Sequence, residues 1–261
     1  MAEHSFRNFA VTTQDAIGWL EYRRPPVNAF DWDMIREAPA ALRALIDDPE
    51  VRVIVIASAL GKYFNSGADL GVFREVRGDA MREWVGICHS GIVRLLRGSP
   101  KPLLAAIHGI AVGGGLEIAW HCDVRFASDD ARIGQPEINI AYLPPIGGTQ
   151  ALARLIGRHR ALRFLYDGEL LSAQQALEFG LVDHVVPPQR LRAEVDRYAR
   201  KLAAKPANAL AAIRRCVTEG ESLAFEDGLR IEFEEAIRLS ESPNFEEGIA
   251  AFLEKRPARW R

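Results

Sequence analysis

The chain has 261 residues, 48% of them apolar and 26% charged, and its 33 basic against 35 acidic side chains leave a formal charge of −2. Such values disfavour wholesale disorder, a collagen-like repeat and a strongly basic nucleic-acid binder, and a chain this long can bury roughly three quarters of its surface. Cys88, Cys122 and Cys216 are too few and too scattered for a disulfide framework or a CxxC metal knuckle, no apolar run reaches the roughly eighteen residues of a membrane span, and Met1 to Arg7 holds no apolar leader core, so a reduced, cytoplasmic protein is expected.

In chain order, Phe9 to Thr12 and Ile17 to Tyr22 read as two short strands turning at Gln14-Asp15, and Arg24-Pro25-Pro26 ends them. The spacing of Ile35, Ala38, Leu42, Leu45 and Ile46 predicts a helix over 33–47, in which Pro39 either introduces a kink or marks the first turn. Val51 to Ala57 is a β-branched run suited to a strand covered on both faces. Apolar residues at 81, 84, 85, 88, 92, 95 and 96 predict one helical face, which Pro100-Lys101-Pro102 stops. Leu103 to Ile110 then reads as one buried strand, broken by Gly113-Gly114-Gly115, after which Leu116 to Trp120 starts a helix. Further strands are expected at Val124 to Ala127 and Leu181 to Val186, so residues 1–188 form an α/β core. Residues 189–261 carry 14 basic and 13 acidic side chains on helical spacing, which makes them a helical region with a solvated outer face rather than a polyanion site. Ser172 with Gln175 predicts a capping box, and Pro206 a helix start.

The glycine triplet is the first feature that asks for more than folding. At a strand-to-helix junction it lets the backbone approach a ligand, and the amides of a helix start carry partial positive charge. That suits a developing oxyanion, although a tight structural turn fits the triplet alone equally well. Neither a G-x-G-x-x-G spacing nor a phosphate loop is present. Glu117, three residues after Gly114, and Glu137, inside Gly134-Gln135-Pro136-Glu137, form a second pair of interest: two converging carboxylates can hold a water and divide base and acid work. A second glycine element, Phe64-Asn65-Ser66-Gly67-Ala68-Asp69, follows the Val51 to Ala57 strand and offers another amide, or an ordinary turn with Asp69 as helix cap. His89, His108 and His121 have no i,i+4 partner suited to zinc, Ser66 stands in no recognisable triad order, and Asp69 and Asp123 read as structural hydrogen-bond partners.

The strings Phe64 to Leu70, His108-Gly109-Ile110-Ala111-Val112-Gly113-Gly114-Gly115-Leu116-Glu117, Gly134 to Glu137 and Gly147-Gly148-Thr149-Gln150 resemble the crotonase superfamily, and among its members the enoyl-CoA hydratases. Order and spacing match from Arg24-Pro25-Pro26-Val27-Asn28-Ala29 to Phe252-Leu253-Glu254-Lys255-Arg256. The resemblance implies a crotonase-like spiral of repeated ββα units with a C-terminal helical trimerisation region at 189–261, assembling as a homotrimer or a dimer of trimers. It also implies roles: the Ala68 and Gly114 amides hold the thioester oxygen of an acyl-CoA, Glu117 acts as base on water, and Glu137 protonates the α-carbon. Ala68, Asp69, Leu70 and Gly71 line the pantetheine, and Phe252 and Lys255 reach CoA, commonly from a neighbouring subunit. No cofactor beyond the CoA of the substrate and no metal is implied.

Three departures from the family pattern stand out. A lysine that relatives carry near the proline-rich loop falls on Pro26 or a gap here, with Arg23 and Arg24 as the basic residues at hand. Ala141-Tyr142-Leu143-Pro144-Pro145-Ile146 replaces a glycine-rich stretch before Gly147, and Asn65-Ser66 replaces a small apolar pair, so the acyl pocket is expected to differ from that for a straight fatty chain. The alternatives are another crotonase reaction, such as double-bond isomerisation or dehydration of a non-fatty acyl-CoA, and an RNA-binding or scaffold protein on the same fold. The charge of −2 and the intact glutamate pair disfavour the last.

Overall fold

The protein is described from a computed structural model covering residues 3–261; residues 1 and 2, and the side chains of residues 3–5, lie outside the description. The strands are β1 (Glu3–Ser5), β2 (Phe9–Gln14), β3 (Ile17–Tyr22), β4 (Val53–Ser58), β5 (Tyr63–Asn65), β6 (Leu103–Ile107), β7 (Ile110–Val112), β8 (Val124–Ser128), β9 (Arg132–Gly134), β10 (Leu170–Ser172) and β11 (His184–Val186). They form a seven-stranded sheet in the order β1-β2-β3-β4-β6-β8-β11 and a four-stranded sheet in the order β10-β9-β7-β5. The large sheet is antiparallel through β1, β2 and β3 and parallel from β3 onward; the small one is parallel except for β10 on β9.

A repeat follows from this order. β4, β6 and β8 each lie in the large sheet, each is followed by a strand of the small one, and each pair leads into a helical segment: Leu70–Phe73, Gly113–Trp120 and Pro136–Ile140. This is the crotonase-like ββα spiral. Every step from large to small sheet needs a sharp change of direction, and Gly109 supplies one with φ +57. A β-carbon there would stand 2.2 Å from the Lys62 carbonyl oxygen. The single strand expected over Leu103 to Ile110 is therefore two strands in different sheets. The first turn also differs by one residue, with Asp15 and Ala16 both left-handed at φ 51 and 63.

Val53 to Ala57 is uniformly apolar because both faces of β4 are covered. Val53 and Val55 face Leu191, Val195 and Ala199 of the Pro188–Ala203 helix, while Ile54 and Ile56 face the main core. The Trp32–Ile46 helix starts at Asp31, whose carboxylate accepts from the Met34 amide at 2.8 Å, and Pro39 lies in its interior beyond the first turn. The helix expected over 81–96 runs from Gly78 to Gly98 as α, π and α segments. Its buried residues Trp84, Cys88, Ile92 and Leu96 recur every four positions, a spacing between the 3.6-residue α turn and the wider π turn. Of the strand expected at Leu181 to Val186 only His184–Val186 pairs; Leu181 and Val182 are core residues beyond the left-handed Gly180. Ser172 and Gln175 form the capping box. Helices Ala207–Gly220, Phe225–Ser240 and Pro243–Leu253 complete the chain. Among the described residues no helix is long and apolar enough to cross a membrane.

Candidate active site

The glycine triplet opens the eight-residue helix Gly113–Trp120 directly from β7. Close approach bears on all three positions, and it leaves no room for a side chain at Gly113, which is left-handed at φ 58, or at Gly115. A β-carbon on Gly113 would lie 3.0 Å from Gly67 Cα and 3.0 Å from Glu137 Oε1, one on Gly114 would meet Ile146 Cδ1 at 2.8 Å, and one on Gly115 would fall 2.1 Å from Asn65. The triplet thus lets the helix start touch the 65–68 loop backbone to backbone. That loop is shaped by Asn65, fully buried, whose Oδ1 accepts from the Gly67 amide at 2.8 Å. Phe30 N donates to Gly67 O and Asp69 N to Phe30 O, both at 2.8 Å, so Ala68 is bracketed while its own amide donates to no group among the described residues. The Gly114 amide, in the first turn of its helix, likewise has no acceptor among them. Two unengaged amides on touching loops are the donor pair an oxyanion site needs.

A cavity of about 240 Å³ opens on this junction. Ala68, Gly114 and Glu137 line it, and Phe30, Phe73, Trp84, Tyr142 and Ile146 give it apolar walls. Glu137 stands on the short 3₁₀ helix Pro136–Ile140, which Ala141 ends in a left-handed conformation at φ 55. Glu117 comes from the glycine-led helix and is fully buried. Its Oε2 accepts from the Gly148 amide at 2.8 Å; among the described residues Oε1 has no partner, and neither does Glu137 Oε2. Glu117 is not part of the cavity surface: residues 146–148 stand against it, and Ile146 lines the cavity.

Burial dominates the electrostatics. It pushes the Glu137 carboxyl up to about 7. It raises Glu117 well above the carboxylate range, the Glu137 charge raises it further, and the Gly148 and Ile146 backbone only partly offsets this. The Glu137 charge acting on Glu117 means that the two carboxyls resist carrying negative charge together.

Other expected site residues take different places. Asp69 caps the Leu70–Phe73 helix by accepting from the Gly71 amide at 3.1 Å and pairs with Arg24 at 3.4 Å. Leu70 lines the cavity, half exposed, whereas Gly71 does not. Arg24 is already engaged by Asp31 at 2.6 Å and by the Ala29 carbonyl, while exposed Arg23 donates to Phe6 O. Asp123 accepts from Leu103 N and Arg214. Phe252, 83% exposed, and Lys255 lie on the far C-terminal helix and its end, away from the glutamates; Phe252 belongs to a separate apolar hollow with Phe245 and Trp260.

Two histidines without an assigned part in the sequence reading prove to hold the cavity wall. His89 Nε2 meets Pro145 O and His121 Nε2 meets Ile146 O, each at 2.9 Å, and a carbonyl can only accept, so both nitrogens donate. Burial lowers His121 to about 4, keeping it neutral. Together with Glu117 on Gly148 N they pin residues 145–148. Asn28, buried with φ 57, ties the 24–30 loop to Ser58 Oγ and Phe64 O. Sequence spacing carries no signal for any of these contacts, since the partners lie 25 to 56 residues apart.

The family model for enoyl-CoA hydratase/isomerase matches residues 12–261. The chain is 33% identical over 257 residues to a crotonyl-CoA hydratase of Syntrophomonas wolfei, covering 98% of each chain. It is 35% identical over 246 residues to a probable enoyl-CoA hydratase of Bacillus subtilis, covering 93% of this chain and 94% of that one. A solved enoyl-CoA hydratase structure from Geobacillus kaustophilus superposes with a TM-score of 0.96 at 34% identity, over 100% of this chain and 98% of the other.

Proposed function

We propose that this chain, which belongs to the enoyl-CoA hydratase/isomerase family and is an enzyme of the enoyl-CoA hydratase type, adds water across the double bond of a 2-enoyl-CoA to give a 3-hydroxyacyl-CoA. The observation that carries the reading is the meeting of two unengaged amides, Ala68 and Gly114, with Glu137 at one apolar cavity, behind whose Ile146 wall Glu117 lies buried. Oxygen adds to Cβ only as negative charge moves onto the thioester oxygen. Donors aimed at that oxygen strengthen as the charge develops, and loss of one such donor costs about 3–4 kcal/mol of barrier. Glu117 takes a proton from water as the oxygen bonds to Cβ, and Glu137 delivers one to Cα. For Glu117 to do so the substrate must bring water past Ile146 to the unpartnered Oε1. Phe73, Trp84 and Tyr142 then receive the acyl chain, their edge-to-face packing giving a rigid apolar wall.

No Lys or Arg lines the cavity, and Phe225, Phe233, Phe245, Phe252 and Leu253 stand exposed on the last two helices, apolar side chains suited to burial against other copies. We infer a homotrimer or dimer of trimers in which Phe252 and Lys255 serve a neighbour's CoA. The test is loss of conjugated enoyl-thioester absorbance with purified protein across short, long, branched and aromatic 2-enoyl-CoAs. Hydration of at least one class is expected; double-bond migration without hydration would move the chain to the isomerases of its family.

A further inference from the structure

Glu137 is a wall of two cavities. Behind it and Tyr142 lies a second one, of about 380 Å³, which runs out to solvent past Ala153, Arg158 and Tyr166, all exposed. Its wall includes Gln135, 1% exposed, whose Nε2 and Oε1 both lack a protein partner, and Glu137 Oε2 is buried and unpartnered as well. Buried polar groups in folded proteins are met by protein or by ordered water, and water settles where two to four polar atoms surround a space large enough to hold it. Gln135 Oε1, Gln135 Nε2 and Glu137 Oε2 are three unpartnered polar atoms on two residues that share the wall of this cavity.

We propose that the rear cavity is a solvent inlet in which Gln135, as a positioning residue, holds water against Glu137 Oε2, so that Glu137 exchanges its proton with bulk solvent while an acyl-CoA fills the front cavity. The inference rests on the hydration reading above. In the dehydration direction the Cα–H bond breaks, its electron pair enters the enolate, and the proton passes to Glu137; the rear water takes that proton and returns one of its own. On reversal the Glu137 O–H bond breaks and a new Cα–H bond forms with hydrogen from solvent. Glu117, which handles the oxygen at Cβ, has no such path, since it is fully buried and lines neither cavity. Hydrogen at Cα and oxygen at Cβ therefore exchange with solvent at different rates.

The experiment incubates a 3-hydroxyacyl-CoA with the enzyme in D₂O enriched in ¹⁸O and follows, by mass spectrometry, deuterium at Cα and ¹⁸O at Cβ. Product release limits turnover in many enzymes, and with such a route wild type should take up deuterium several-fold faster than ¹⁸O. Ala153→Trp, which fills the inlet from an exposed helical position, and Gln135→Leu, which removes the water's partners, should both bring the two rates together. Ala153→Trp should keep kcat/KM within about threefold, and it carries the test even where Gln135→Leu fails to fold. Equal rates in wild type, or a ratio that neither variant moves, overturns the inlet. A wild-type enzyme that neither hydrates nor dehydrates any acyl-CoA overturns the underlying reading, and the inlet with it.

Discussion

The two sheets of this molecule are held by different means. The central strands of the large sheet run five or six residues, β4 and β6 almost wholly buried aliphatic side chains, with the core on one face and the Pro188–Ala203 helix on the other. The small sheet is four strands of three residues each, too short to bury much of their own. It stands on close backbone approach at Gly109, Gly113 and Gly115 and on the buried amides of Asn28 and Asn65. Burial is concentrated in the large sheet, and the proposed chemistry at the loop and helix starts that leave the small one. Damage to either should then be measurable apart from the other.

The largest effect belongs to the helical segments that follow the small sheet's strands. Glu117→Gln and Glu137→Gln should each lower hydration by roughly 10²–10⁴-fold, the range for a lost general acid or base, with a melting temperature no lower than wild type. Near-normal hydration by either variant breaks the division of labour. In the large sheet, Ile56→Ala should cost about 2–5 kcal/mol of stability in denaturant titrations yet leave kcat/KM within about threefold under native conditions. A parallel loss of activity would show that the sheets are not separable. Gly115→Ala sharpens the contrast from the other side. Its new methyl must displace Asn65, and a shift of about 1 Å at the 65–68 loop should cost about a hundredfold in activity while the far-ultraviolet spectrum stays native.

The pH dependence separates the sheets more gently. Burial holds the Glu137 proton up to about 7 against an ordinary 4.5. Between those values the folded chain keeps a proton the unfolded chain has released, so stability falls as pH rises through the window and is fullest below 4.5. The difference between wild type and Glu137→Gln should change by about 3 kcal/mol from pH 4 to pH 8, and a flat difference would deny the burial of Glu137.

Legibility in the sequence followed the same line. Val53 to Ala57 and the stripe through Trp84, Cys88, Ile92 and Leu96 announce themselves because long elements repeat one packing environment. β7 is hidden because apolar character runs on through His108-Gly109 and hydrophobicity does not register a change of sheet; β5, β9 and β10 are too short to show a period. The glycine triplet, the two glutamates and the capping box are visible by residue type and spacing alone. Their surroundings are not: His89 and His121 reach Pro145 and Ile146 only through tertiary folding. Phe252 and Lys255 raise a different difficulty, since the single chain holds them apart from the cavity and a CoA contact from them requires another copy.

The most direct test is a crystal structure with a 3-hydroxyacyl-CoA bound. The account predicts the thioester oxygen about 2.7–3.1 Å from both the Ala68 and Gly114 amides, with the C3 hydroxyl between Glu117 Oε1 and Glu137. A thioester bound away from those amides, or Glu117 still shut behind Ile146 with the ligand in place, would contradict it.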